Sequence, residues 1–227
     1  MAAFEDDYGY GVKPIVQGSG QIIELARRGE LDVIMTHSPG DEQALLNDGV
    51  ATGTTPVMQN FFLIAGPESD PADVAGADRL ADAFARIAAS GAGFVSRGDS
   101  SGTHRRELAT WEAAGVDPAG EDWYRESAAG QGQSVLVAND SDVYTLVDSA
   151  TFISLADRLQ IVELFRDEIA PNVYSVLRLD SEQLTEINEN AAAAWIEFIT
   201  SPRGQTVIEE YGRDEYGVSL FEPLLLD

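Results

Sequence analysis

Ser96-Arg97-Gly98-Asp99-Ser100-Ser101-Gly102-Thr103-His104 links a short apolar run at 93–96 to a helical run at 101–114. It is a polar loop that opens a helix. The first N–H groups of a helix have no partner within it, and the macrodipole adds roughly half a positive charge at that end. Arg97 contributes a guanidinium that can hold two oxygens at once. Ser100, Ser101 and Thr103 add hydroxyls, and Gly102 lies among the backbone donors. A helix start furnished in this way is an anion site, and a small oxyanion is the ligand it suits. Two plainer readings stand beside this one. Arg97 could simply pair with Asp99, and Ser101 or Thr103 could be ordinary N-caps. Capping and anion binding are compatible, because both use the same end of the helix. Asp99 is better suited to orienting Arg97 than to touching a dianion, which a carboxylate repels.

Outward from this loop, short β-type runs alternate with amphipathic helical runs, the pattern of an α/β protein. Strands are expected at 12–16, 31–36, 57–65, 93–96, 151–155 and 173–179, with 31–36 apolar enough to read as a buried parallel strand. Helices are expected at 21–28, 41–47, 78–89, 101–114, 123–126, 134–140, 141–147 and 188–200. A last one starts at Ser201-Pro202-Arg203-Gly204, where proline suits the first turn. Gly18-Ser19-Gly20 and Gly130-Gln131-Gly132-Gln133 are glycine-rich turns before helices. The breaks at Gly66-Pro67 and Ala170-Pro171-Asn172 predict an outer domain, 1–66 with 172–227, and an inserted domain, 67–171. Two strands crossing between lobes would form a hinge.

The chain has 227 residues and is 44% apolar, which suits folded domains with real cores. No cysteine is present, so thiol catalysis, disulfides and thiolate metal sites are excluded. His37 and His104 are far apart and lack a carboxylate cluster at ligand spacing, which argues against zinc. No apolar run approaches the roughly 18 residues of a membrane span. Met1-Ala2-Ala3-Phe4-Glu5-Asp6-Asp7 has no charged-then-apolar leader. A net charge of −25 argues against nucleic acid as a partner. The acidic, lysine-poor composition, with Lys13 alone beside the arginines, is similar to that of proteins from extreme halophiles; an acidic mesophilic protein is the alternative.

The motif Ser96 to His104 also carries a family resemblance, together with Gly18-Ser19-Gly20-Gln21, Asp32-Val33-Ile34-Met35-Thr36-His37-Ser38-Pro39, Asn60-Phe61-Phe62-Leu63-Ile64-Ala65-Gly66-Pro67 and Tyr144-Thr145-Leu146 with Asp148 and Thr151. Over nearly its whole length the chain resembles the solute-binding component of tungstate ABC transporters, a branch of the periplasmic-binding-protein superfamily. The Arg-x-Asp-x-Ser-Gly-Thr string is similar to the anion loop of phosphate-binding proteins. The resemblance implies a type II two-lobed α/β fold, each lobe a mainly parallel sheet flanked by helices. It implies an oxyanion (tungstate, then molybdate or sulfate) held between the lobes, and delivery to a membrane permease outside the cell or in the periplasm. No catalysis, cofactor or resident metal is implied. The family begins with a strand and a Thr-Thr-Thr-Ser type loop that would precede Met1. The outer domain, 1–66 with 172–227, is therefore expected to lack one strand and some ligand donors, with an open sheet edge.

The site residues expected on these grounds are Arg97, Ser100, Ser101, Gly102 and Thr103, with Ser19 from the other lobe and Tyr144 and Thr145 toward the hinge. Ser19 could equally serve a tight turn, and Tyr144 could be core. An esterase acting on phosphate or sulfate esters is the alternative in a different class, since Ser101 and His104 share a helix face. No nucleophile-elbow motif accompanies them. A sensory domain is a third reading.

Overall fold

The computed structural model describes residues 1–184 and 186–226. The chain divides into two units, Met1–Gln59 with Val173–Asp227 and Asn60–Asn172. It passes between them at 59–60 and 172–173. The first passage comes earlier than Gly66-Pro67 because the strand expected at 57–65 is two strands. β2 (Ala51–Asn60) belongs to one sheet and β3 (Phe62–Gly66) to the other.

In the first unit, α1 (Ala2–Tyr8) closes on Gly9 in the left-handed conformation, and its Phe4 packs edge-on against Trp195 at 5.0 Å. The sheet has the order β1-β8-β2-β9, from β1 (Val33–Thr36), β8 (Asn172–Leu179), β2 and β9 (Glu222–Pro223). β1 runs antiparallel to β8, with Val33 opposite Arg178, and β2 runs antiparallel to β9. This corrects the expectation of a mainly parallel sheet: the partner of β1 comes from the far end of the chain and runs the other way. Both faces of β1 are covered, since its side chains alternate: Ile34 and Thr36 are buried, and Val33 and Met35 are half-buried. Ile34, Leu177 and Leu179 meet α2 (Ser19–Arg27) and α3 (Pro39–Asn47) through Ile23 and Leu45. Val57 and Val176 meet α8 (Glu189–Thr200) and α9 (Pro202–Glu210) through Ile199 and Ile208. The segment 12–16 forms no ladder. Pro14 has no N–H to give and Val16 is exposed, so neither a partner strand nor a core claims it.

The second unit has a mixed sheet of order β5-β4-β6-β3-β7. β4 (Phe94–Ser96) is parallel to both β5 (Tyr124–Glu126) and β6 (Tyr144–Asp148), whereas β3 is antiparallel to β6 and to β7 (Val162–Arg166). Residues 124–126 and 144–148 are therefore strands, not the helices expected there. Conversely, 151–155 lies in α7 (Ser149–Leu155), whose start is fixed by Asp148 accepting from the Thr151 N–H at 2.9 Å. α4 (Leu80–Ser90) and α5 (Gly102–Ala113) cover one face with Phe84, Ile87 and Trp111. α6 (Gln131–Ser141) covers the other with Val135 and Ala138. Trp111 and Phe84, 4.3 Å apart, anchor the larger cluster. Burying each such side chain contributes roughly 1.5–3 kcal/mol.

This topology positions the site. β5, β4 and β6 are parallel neighbours, and α6, α5 and α7 follow their C-terminal ends. Three helix N-termini thus gather along one edge of the sheet, where ligands bind in sheets of this kind.

Candidate functional site

The chain leaves β4 at Ser96, whose side chain is buried. Its hydroxyl donates to Glu107 Oε2 at 2.8 Å and accepts from the Gly98 N–H at 3.2 Å. Glu107 also accepts from Tyr124 Oη at 2.8 Å and Trp111 Nε1 at 3.2 Å. Burial raises its carboxyl above the ordinary range, and the hydrogen bonds from Tyr124, Ser96 and Trp111 oppose that rise without cancelling it. This carboxylate ties β4, β5 and α5 together beneath the loop. Gly98 has φ +63°, and a Cβ there would meet the Glu126 side chain at 2.8 Å, so the turn requires glycine.

Arg97 follows. Its Nη1 donates to Gln131 Oε1 at 3.0 Å, and its Nη2 pairs with Asp99. Gln131 is held in turn by donating to the Leu146 carbonyl at 3.2 Å. The guanidinium is therefore braced from the first residue of α6. Its Nε is buried and has no hydrogen-bond partner among the described residues. Asp99 has its other oxygen on the Ser101 N–H at 3.1 Å. Burial acts to raise its carboxyl, but the Ser101 hydroxyl and N–H and the Arg97 guanidinium outweigh it and hold the group below the usual carboxylate range.

Ser101 is the N-cap of α5 and accepts from the His104 N–H at 3.3 Å. The Ser100 N–H donates to His104 Nδ1 at 3.0 Å. Among the described residues no acceptor takes the N–H of Gly102 or of Thr103, and the first turn of α5 contains no acidic residue. Ser101 and Thr103 are buried and Ser100 is exposed. Arg97, Ser100, Ser101, Gly102 and Thr103 thus stand together on one loop and one helix end.

The other expected residues are on other elements. Ser19 is the first residue of α2, in the first unit, behind a Gly18 cap that makes no side-chain hydrogen bond. The Tyr144 hydroxyl donates to Asp70 Oδ1 at 2.8 Å and accepts from the Ala72 N–H at 3.0 Å. The Thr145 hydroxyl donates to the Val95 carbonyl at 2.9 Å. Both residues are fully buried, and their hydroxyls are engaged within the core of the second unit. Asp148 caps α7 and accepts from Asn60 Nδ2 at 3.0 Å. His37 stacks on Tyr174 with 4.8 Å between ring centroids, and His104 is buried. Sequence reasoning missed Gln131, Glu107 and His104 as parts of the loop's framework. For Gln131 the available signal was its place in a second glycine-rich turn before a helix.

Chemically, the loop offers donors: one guanidinium with a free edge, two backbone N–H groups and hydroxyls. No group of three or more His, Cys, Asp or Glu that could hold a metal ion exists among the described residues. No helix among them is long and apolar enough to cross a membrane.

The family described as the PBP superfamily domain matches residues 1–203. A putative ABC transporter anion-binding protein of Haloferax volcanii is 41% identical over 226 residues, covering 97% of this chain and 65% of that protein. This chain therefore spans a little under two thirds of that relative's length. The tungstate-binding protein TupA of Peptoclostridium acidaminophilum is 33% identical over 226 residues, covering 98% of this chain and 79% of its own length. Among solved structures, that of the tungstate ABC transporter from Geobacter sulfurreducens matches with a TM-score of 0.84 at 35% identity, over 92% of this chain and 89% of that one.

Proposed function

The chain belongs to the PBP superfamily, and we propose that it serves an ABC transporter as its oxyanion-binding component, seating tungstate, or next molybdate or sulfate, at the start of α5. The observation that carries this reading is the buried Arg97 Nε, which has no partner among the described residues, on the same loop as the Gly102 and Thr103 N–H groups that no acceptor among them takes. A buried donor left unpaired costs roughly 1–3 kcal/mol, and a bound oxyanion would remove that cost. Each charge-assisted hydrogen bond to the anion would contribute roughly 1.5–3 kcal/mol. The names of the relatives, which bind tungstate or an anion, point to the same class of ligand.

Donor chemistry sets the selectivity. Hydrogen phosphate carries a proton that needs an acceptor. Asp99, the carboxylate of this loop, is occupied by Arg97 and Ser101. Fully deprotonated dianions need no acceptor and suit a site of N–H, O–H and guanidinium groups. The net charge of −25 opposes the approach of any anion, and salt screens that long-range field while sparing the short contacts. Release to a membrane permease from the outer face of the membrane or the periplasm completes the reading. Nothing in the loop favours the esterase alternative: Ser101 Oγ accepts from the backbone N–H of His104, and among the described residues no hydrogen bond joins it to the imidazole.

Calorimetry with tungstate, molybdate, sulfate and phosphate in concentrated salt tests this function. Saturable binding of tungstate, with phosphate much weaker, is the expected result. Binding of phosphate alone, or of none of the four, overturns it.

A further inference from the structure

We propose that His104 is a positioning residue for this site, a neutral acceptor that decides which N–H groups α5 presents to the anion. The inference rests on the function proposed above. The residue is 8% exposed. Its Nδ1 accepts from the Ser100 N–H at 3.0 Å, while its own backbone N–H donates to Ser101 Oγ at 3.3 Å. Two hydrogen bonds in opposite senses thus tie residue 104 to the two residues that open the helix. The arrangement has the logic of a capping box, with an imidazole in place of the usual carboxylate or amide. Ser100 has φ +58°, a left-handed backbone that a serine holds only when its surroundings impose it.

The bookkeeping of donors gives this contact its consequence. The Ser100 N–H is turned to His104 and the Ser101 N–H to Asp99. Gly102 and Thr103 are left as the open donors, next to Arg97. A ring that accepts at Nδ1 carries its proton on Nε2, and this nitrogen is buried without a partner among the described residues. A glutamate at this position could accept the same hydrogen bond, but it would set a negative charge beside the donors and repel a dianion. Histidine supplies the acceptor without the charge.

The test compares the whole chain with His104→Leu, which keeps bulk and removes the acceptor, and His104→Asn, which restores an acceptor at the δ position. Thermal unfolding confirms that each variant folds. Tungstate affinity is read by calorimetry, and exchange of the Ser100 amide by NMR. The leucine variant is expected to bind about tenfold more weakly, the effect of one lost hydrogen bond, with fast exchange at Ser100. The asparagine variant is expected to stay within about threefold of wild type, with the amide protected. Wild-type affinity in the leucine variant overturns the role. So does an asparagine variant as weak as leucine although its Ser100 amide is protected. If the wild-type chain binds none of the oxyanions, the function itself falls and this role falls with it; if wild type binds and leucine binds equally, this role falls alone.

Discussion

α3 and α5 both begin at a buried serine cap, and both fold a side chain back onto a backbone N–H four residues earlier. In α3 the Ser38 N–H donates to Glu42 Oε1 at 3.2 Å; in α5 the Ser100 N–H donates to His104 Nδ1 at 3.0 Å. The four-residue spacing is shared; in α3 the N–H is the cap's own, in α5 it belongs to the residue before the cap, and the charge differs. The first turn of α3 carries Asp41 and Glu42, so its dipole is already answered by the protein. The first turn of α5 carries no acid; the carboxylate just before it, Asp99, takes the N–H of the cap and is paired with Arg97, which Gln131 braces. A helix N-terminus is therefore not an anion site by itself. It becomes one where the first turn itself is free of acids, the nearest carboxylate is paired, and donors are left unspent.

The strongest way to break the contrast is Arg97→Ala. It removes the one guanidinium of the loop and is expected to weaken tungstate binding about a hundredfold or more in calorimetry, consistent with the loss of one or two charge-assisted hydrogen bonds. An unchanged affinity would move the site elsewhere. His104→Glu rebuilds the α3 arrangement at α5. About a thirtyfold loss is expected, larger than for the leucine variant, because repulsion adds to a hydrogen bond that is kept. Ser101→Ala removes the cap and should cost about 1 kcal/mol in denaturant unfolding, as cap deletions do. Ser19→Ala at the start of α2 removes a buried hydroxyl that caps nothing, because Gly18 is the cap, so it should cost less than Ser101→Ala in the same measurement.

Acid sharpens the comparison further, because the two ends respond in opposite senses. The Asp99 carboxyl is held below its ordinary 3.8, so its stabilisation is present above that pH and is lost as the pH falls through the lower folded value. Burial raises the Glu42 carboxyl above 4.5, against the hydrogen bonds from Ser175 and Ser38. Its contribution is fullest below 4.5 and declines as the pH rises through the folded value. Melting curves from about pH 3 to pH 7 should show the deficit of Asp99→Asn vanishing toward acid. Over the same range Glu42→Gln should gain on wild type as the pH rises. A deficit for Asp99→Asn that persists at the acid end would contradict the first assignment.

Much of this was legible in the sequence, and the failures have physical causes. The helix from Gly102 and its serine cap were readable because glycine, hydroxyls and a following amphipathic run coincide there. β6 was misread as helix because all five of its residues, Tyr144 to Asp148, are buried, so no period-two alternation marks it. β5 was misread because three residues carry no period at all. The start of α7 was present as Asp148 before Thr151, a capping pair outweighed by the β-branched residues that follow it. The antiparallel run of β1 against β8 could not be read locally, since its register pairs residues from opposite ends of the chain. Within the site, the donors were visible and their supports were not. Gln131 bracing Arg97 and Glu107 beneath Ser96 are contacts made by the fold, and no spacing within the loop encodes them.

The most direct test of the central claim is a crystal of the whole chain grown with sodium tungstate and measured at a tungsten absorption edge. One strong anomalous peak is expected, its oxygens within hydrogen-bonding distance of Arg97 Nε and the N–H groups of Gly102 and Thr103. A peak remote from the start of α5, or a loop whose donors are met by the protein's own side chains in saturating tungstate, would contradict it.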